Sequence, residues 1–153
     1  MSPEIRTIVT FSSSRFNTSE SKEYFINRGC FGDDVAKWII EELRRDGYTT
    51  AELPGQEDFG WYLVFQVCGI AHCLVVAYRP GESIGKGIWI GWLERNRSLL
   101  PSLFGGRGRG IAAEAVVAIH NVLSNDQTIQ DVRWHFEGDF DASREELGAP
   151  KPS

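Results

Sequence analysis

No apolar stretch of this sequence approaches the roughly 20 residues that a helix needs to cross a bilayer. Nothing at its start reads as a signal peptide, because MSPEIRTIVT is already strand-like. Cysteine is scarce: three residues, an odd set with no CxxC and no paired spacing. These absences favour a cytoplasmic protein with reduced thiols and no disulfide framework. Basic charge is short as well. Sixteen Lys and Arg face 21 Asp and Glu, a net charge of −5. A dedicated nucleic-acid binder needs a basic surface to neutralise phosphate, so that class is disfavoured. His72, His120 and His135 have neither H-x-x-x-H nor H-E-x-x-H spacing, and no serine sits in a G-x-S-x-G elbow. Neither a metal nor a cofactor is expected.

What is present is globular. The 153 residues are 42% hydrophobic and 24% charged, too apolar for wholesale disorder. A chain of this length buries roughly 70% of the surface its unfolded form exposes, enough for a core without staples. Five Trp and nine Phe imply a core or an interface rich in large rings.

Ile5 to Ser13 reads as a first strand and SRFNTSESKEYFINRG as a polar loop. That loop is long for a structureless connection, which suits a binding edge. GDDVAKWIIEELRRDG is the clearest helix: Val35, Trp38, Ile39 and Leu43 repeat at helical spacing and Gly47 stops it. Lys37 with Glu41, and Glu41 with Arg45, are spaced for ion pairs on its wet side. After an extended YTTAEL come WYLVFQV and IAHCLVVAYR, a hairpin turning at Cys68-Gly69, then GIWIGWLER. Ile111 to Leu123 reads as a second helix, so nearly uncharged that more than one side must be covered. DVRWHF is a last strand, and the tail 141–153 is expected to fray. The order β-α-(β)-β-β-β-α-β predicts one α+β domain over 1–140. Its antiparallel sheet has five or six strands, with two helices packed on one face. Several superfolds share that order, so it names no function.

Three stretches invite chemistry. Asp58-Phe59-Gly60 matches a kinase magnesium tripeptide, but the Gly-rich strand pair, strand Lys and catalytic loop are all missing. Gly60 is more simply a bend into a strand. GGRGRG precedes the second helix without the spacing of either nucleotide fingerprint. Four Arg and no acid lie between Arg95 and Gly110. Arg107, Gly108, Arg109 and Gly110 are therefore a candidate anion site for a phosphate or, weakly, RNA. A solvated loop is the plainer reading. Glu137 to Glu146 holds five acids and one Arg, but counting from Glu137 puts Ala142 and Gly148 where a calcium loop needs Gly and Glu. It is better read as a solvated acidic end.

In the hairpin, Trp61, Leu63, Phe65, Val67, Ile70, Leu74 and Val76 share one face, and Tyr62, Val64, Cys68, Cys73 and Val75 the other. Two helices can cover only one face. The other must meet a partner, a ligand or another part of the chain. The leading expectation is a non-catalytic, self-associating interaction domain. Its contact is expected on the uncovered sheet face or on the second helix. The alternatives are a small enzyme or ligand binder on the aromatic face, and a phosphate or RNA binder using the Arg arm. Trp61, Phe65, His72, Trp89 and Trp92 are the ligand or interface candidates.

A two-residue turn at Cys68-Gly69 sets Val67 opposite Ile70, Phe65 opposite His72 and Trp61 opposite Val76. Asp58 then falls opposite Arg79. At about 3.3 Å per residue, His72 lies roughly 23 Å from that point, too far for an acid–base couple. Asp58 is thus expected to mark the start of the strand and to pair with Arg79, a structural contact of roughly 0.2–1 kcal/mol.

Overall fold

A computed structural model describes residues 5–58, 60–81, 87–95 and 110–152. Among these residues six strands form one antiparallel sheet, ordered β2-β3-β4-β5-β1-β6. They are β1 (Ile8–Ser12), β2 (Gly55–Gln56), β3 (Trp61–Val67), β4 (Ile70–Arg79), β5 (Ile88–Arg95) and β6 (Gln130–His135). The α+β reading holds, with six strands.

The β3–β4 hairpin follows from its turn. Cys68 and Gly69 have φ of 54° and 73°, the paired left-handed residues that match strand twist in a two-residue loop. Val67 faces Ile70, Phe65 faces His72 and Trp61 faces Val76, as that turn requires. Pairing then continues across the sheet. Gln56, Trp61, Val76, Gly91, Val9 and Trp134 form one row, and Gly55, Tyr62, Val75, Trp92, Ile8 and His135 the next. Adjacent rows point to opposite faces.

Helix α1 (Asp33–Arg45) and helix α2 (Ala113–Ser124) both pack on the Trp61 face. In α1 the buried stripe is Val35, Trp38, Ile39 and Leu43, with Asp33 and Asp34 in the first turn and Arg44 and Arg45 in the last, each sign complementing the helix dipole. Gly47, at φ 96°, ends it. On the wet side Arg45 pairs with Glu42 at 3.0 Å rather than with Glu41. In α2, Ala115, Val116, Ala118, Ile119, Val122 and Leu123 are all buried. So broad a buried stripe explains how little charge the helix carries.

The tail is not frayed. Helix α3 (Glu137–Asp141) and a 3₁₀ turn (Glu145–Leu147) follow β6 directly. Ala149 then returns beside Trp134, accepting from its N–H at 2.6 Å and donating to its carbonyl at 2.9 Å. No residue of α3 or of the turn is buried, so apolar patterning gives no sign of this strap. Long-range contacts hold it instead.

Candidate functional site

The residues that looked most like a ligand surface form the core. Trp61, Phe65, His72 and Trp89 are at most 4% exposed and lie beneath the helices. Phe16 fills the space between Trp38 and Trp89, at ring distances of 5.6 and 6.0 Å. The Trp61 indole donates to the Cys30 carbonyl at 2.8 Å. These side chains are therefore not a contact surface. Trp92 is half-buried on the opposite face, where its indole donates to Glu94 at 3.1 Å.

His72 is a clamp. The Ala112 N–H donates to its Nε2 at 3.1 Å, so Nδ1 carries the proton and donates to the Ile70 carbonyl at 3.0 Å. Both nitrogens are occupied, and burial lowers the ring's affinity for a proton. The bond ties the start of α2 to the hairpin. It also spends one of the amides that an anion at that helix end would use, and Glu114 adds a carboxylate to the same first turn. Of the anion candidates, Gly110 has φ 78°. Arg107, Gly108 and Arg109 lie outside the described residues, as does most of the Arg arm.

His120 is bonded in the same manner, accepting from the Trp134 indole at Nδ1 at 3.0 Å. At the hairpin tip the Cys68 thiol donates to Glu114 at 3.1 Å, and that bond raises its pKa. A thiol held protonated is a poor nucleophile. Cys30, Cys68 and Cys73 form no disulfide. Among the described residues no three His, Cys, Asp or Glu side chains are grouped to hold a metal, and no helix is long and apolar enough to cross a membrane.

The Asp58–Arg79 pair does not form. The Glu57 N–H donates to the Gly60 carbonyl at 2.8 Å, and β3 begins only at Trp61. Gly60 is required there, since a Cβ would lie 2.4 Å from the Val76 carbonyl oxygen. Arg79 reaches the strap instead, giving both terminal nitrogens to Glu145 at 2.8 and 3.2 Å. A double-mutant cycle on Arg79→Gln and Glu145→Gln is expected to give a coupling of about 0.5 kcal/mol, typical of a half-exposed pair. The same cycle on Asp58→Asn and Arg79→Gln should give none. Significant coupling in the second cycle would restore the cross-strand pair.

The feature that sequence reasoning left unresolved is the corner built by the loop between β1 and α1 and by the approach to β2. Phe16 and Phe25 anchor the loop in the core. The Asn17 N–H donates to Asp34 at 2.8 Å and the Asn27 side chain to the Asp58 carbonyl at 3.0 Å. Gln56 acts as a staple: its amide accepts from the Ile26 N–H and donates to the Tyr24 carbonyl, both at 2.7 Å. Tyr24 donates its hydroxyl to Asp33. That bond, with burial and the neighbouring carboxylates, pushes its pKa up to about 12. Its ring meets the edges of Phe25 and Trp61. On this pinned frame Tyr24, Ile26 and Leu53 are 50%, 74% and 71% exposed. Loop length alone flagged the segment; the Gln56 staple carries no sequence signature.

Compared with protein-family models, with curated proteins and with solved structures, the chain matches none.

Proposed function

We propose that this protein is a non-catalytic interaction domain and that its partner is a second copy of itself. One observation carries the reading. Tyr24 and Ile26 stand exposed on a loop that five separate hydrogen bonds hold in place, and Leu53 is exposed on the approach to β2, which Gln56 pins to that loop. Leaving Ile26 and Leu53 in water forgoes roughly 1.5–3 kcal/mol each, a cost that a contact recovers. A fixed loop has little ordering entropy left to lose on binding, and Tyr is among the residues that most often anchor interfaces. The rim suits a like partner. Lys22 and Arg28 alternate with Glu20 and Glu23, all exposed, so a two-fold contact can set acid against base. An all-acid rim on a chain of net charge −5 would repel its copy. A cytoplasmic setting belongs to the same proposal.

The test is sedimentation equilibrium of the wild type beside Ile26→Asp/Leu53→Asp. The wild type is expected to dimerise, and the double variant to dissociate at least about tenfold more readily, a change of roughly 1.4 kcal/mol. A wild type that stays monomeric at every concentration would overturn self-association. An unchanged dimer in the folded variant would move the contact elsewhere.

A further inference from the structure

The strap crosses the sheet face opposite the helices, and one histidine lies under it. His135 points to that face and is 2% exposed. Its Nε2 meets the Thr10 hydroxyl at 2.9 Å, while its Nδ1 is buried with no hydrogen-bond partner among the described residues. The strap seals the ring in. Phe140 packs on it at 5.4 Å, and Gly148 approaches so closely that a Cβ would stand 2.5 Å from Cε1 and 2.7 Å from Nδ1. The strap itself is lightly held. It buries none of its helical residues, and its fastenings include the Arg79–Glu145 pair, the Ala149–Trp134 bridge and the Arg6 guanidinium over the Phe136 ring at 4.3 Å. Such a unit opens well below the free energy of global unfolding.

We propose that residues 136–149 form a pH-sensitive strap, which closes over His135 while that ring is neutral and opens when the ring takes up a proton. The inference stands independently of the self-association reading. An imidazolium in the closed site has no acceptor for its Nδ1–H and sits among three guanidinium groups, on Arg133 of β6, Arg6 beside β1 and Arg79 at the end of β4. The strap brings an opposing charge in Glu145, and Arg79 already engages it. From α3 the Phe140 ring packs on it. Burial has the largest influence and lowers the proton affinity of the ring; Glu145 raises it, and the three arginines lower it again.

The sign follows from linkage. With the strap open, His135 is solvated and titrates at its ordinary value of about 6.5. The closed form binds the proton more weakly, so closure is fully favoured above that value and is lost as pH falls through it towards the closed-state value. Between about pH 7.5 and about pH 5.5 the open fraction should rise about tenfold. Opening bares the row containing Ile8 and His135, both buried when closed.

Amide exchange on the full chain reads this directly, corrected for the intrinsic pH dependence of exchange. The reporters are the Arg144 N–H, bonded to the Asp139 carbonyl at 2.8 Å, and the Ala149 N–H. Their protection is expected to fall about tenfold across that pH range, while amides of β3 and β4 stay protected. His135→Gln, which keeps a partner for Thr10 but cannot titrate, should abolish the step and leave His72 and His120 untouched. Glu145→Gln should loosen the strap at every pH and retain the step. Wild-type strap protection that is independent of pH would overturn the proposal, whether or not His135→Gln folds. So would an equal step in His135→Gln.

Discussion

Trp89→Ala is expected to cost the fold about 3–5 kcal/mol, a large share of the 5–15 kcal/mol that holds a typical domain. Trp89 is fully buried, with Phe16 edge-on to its ring at 6.0 Å and Tyr78 tilted against it at 4.9 Å. Truncation would leave a cavity walled by rings that cannot collapse into it. Trp89→Phe should cost less, because the indole Nε1 has no hydrogen-bond partner among the described residues to lose. Urea unfolding at neutral pH measures both. A loss under about 1 kcal/mol for Trp89→Ala would be the signature of a surface or pocket residue. It would return the aromatic face to consideration as a ligand site.

His72→Phe is the second large effect. The ring is conserved in shape, so the expected loss of about 2–4 kcal/mol comes from two stranded polar groups, the Ala112 N–H and the Ile70 carbonyl. The change also has a pH signature. Burial lowers the proton affinity of His72, and likewise that of His120 and His135. Each is neutral in the fold and titrates at about 6.5 once unfolded. Their contribution is complete above that value and declines as pH falls through it towards the folded values. Stability of the wild type should therefore drop between about pH 7 and about pH 5. His72→Phe should show a shallower drop, having one such group fewer. An identical slope in the two proteins would mean that His72 is not held neutral by its two bonds.

Sequence patterning reached the sheet and the helices because each is governed by local periodicity. The register of β3 and β4 was legible because a two-residue turn admits one pairing, and Cys68-Gly69 adopts it. The division of the hairpin into two apolar faces was legible for the same reason. Which aromatic residues lay in the core was not, since Trp61 and Trp92 look alike in a strand and differ only in which face the helices cover. The expected partner of Asp58 was misplaced because cross-strand register says nothing of a strap returning from the far end of the chain. Glu145, distant in sequence, reaches Arg79 first. The strap left no apolar pattern because none of its helical residues is buried. The exposed corner was hidden for a different reason. Ile26 and Leu53 are ordinary residues in their own segments, and those segments are tied to each other only in the fold, through Gln56.

The claim that this corner is where two copies meet is tested most directly by amide exchange of the wild-type protein at two concentrations, one low micromolar and one several hundred micromolar. Concentration-dependent protection is expected at residues 22–28 and 51–57, with β4 and α2 unchanged. Protection confined to β3 or to α2, or an exchange pattern that does not depend on concentration, would contradict it.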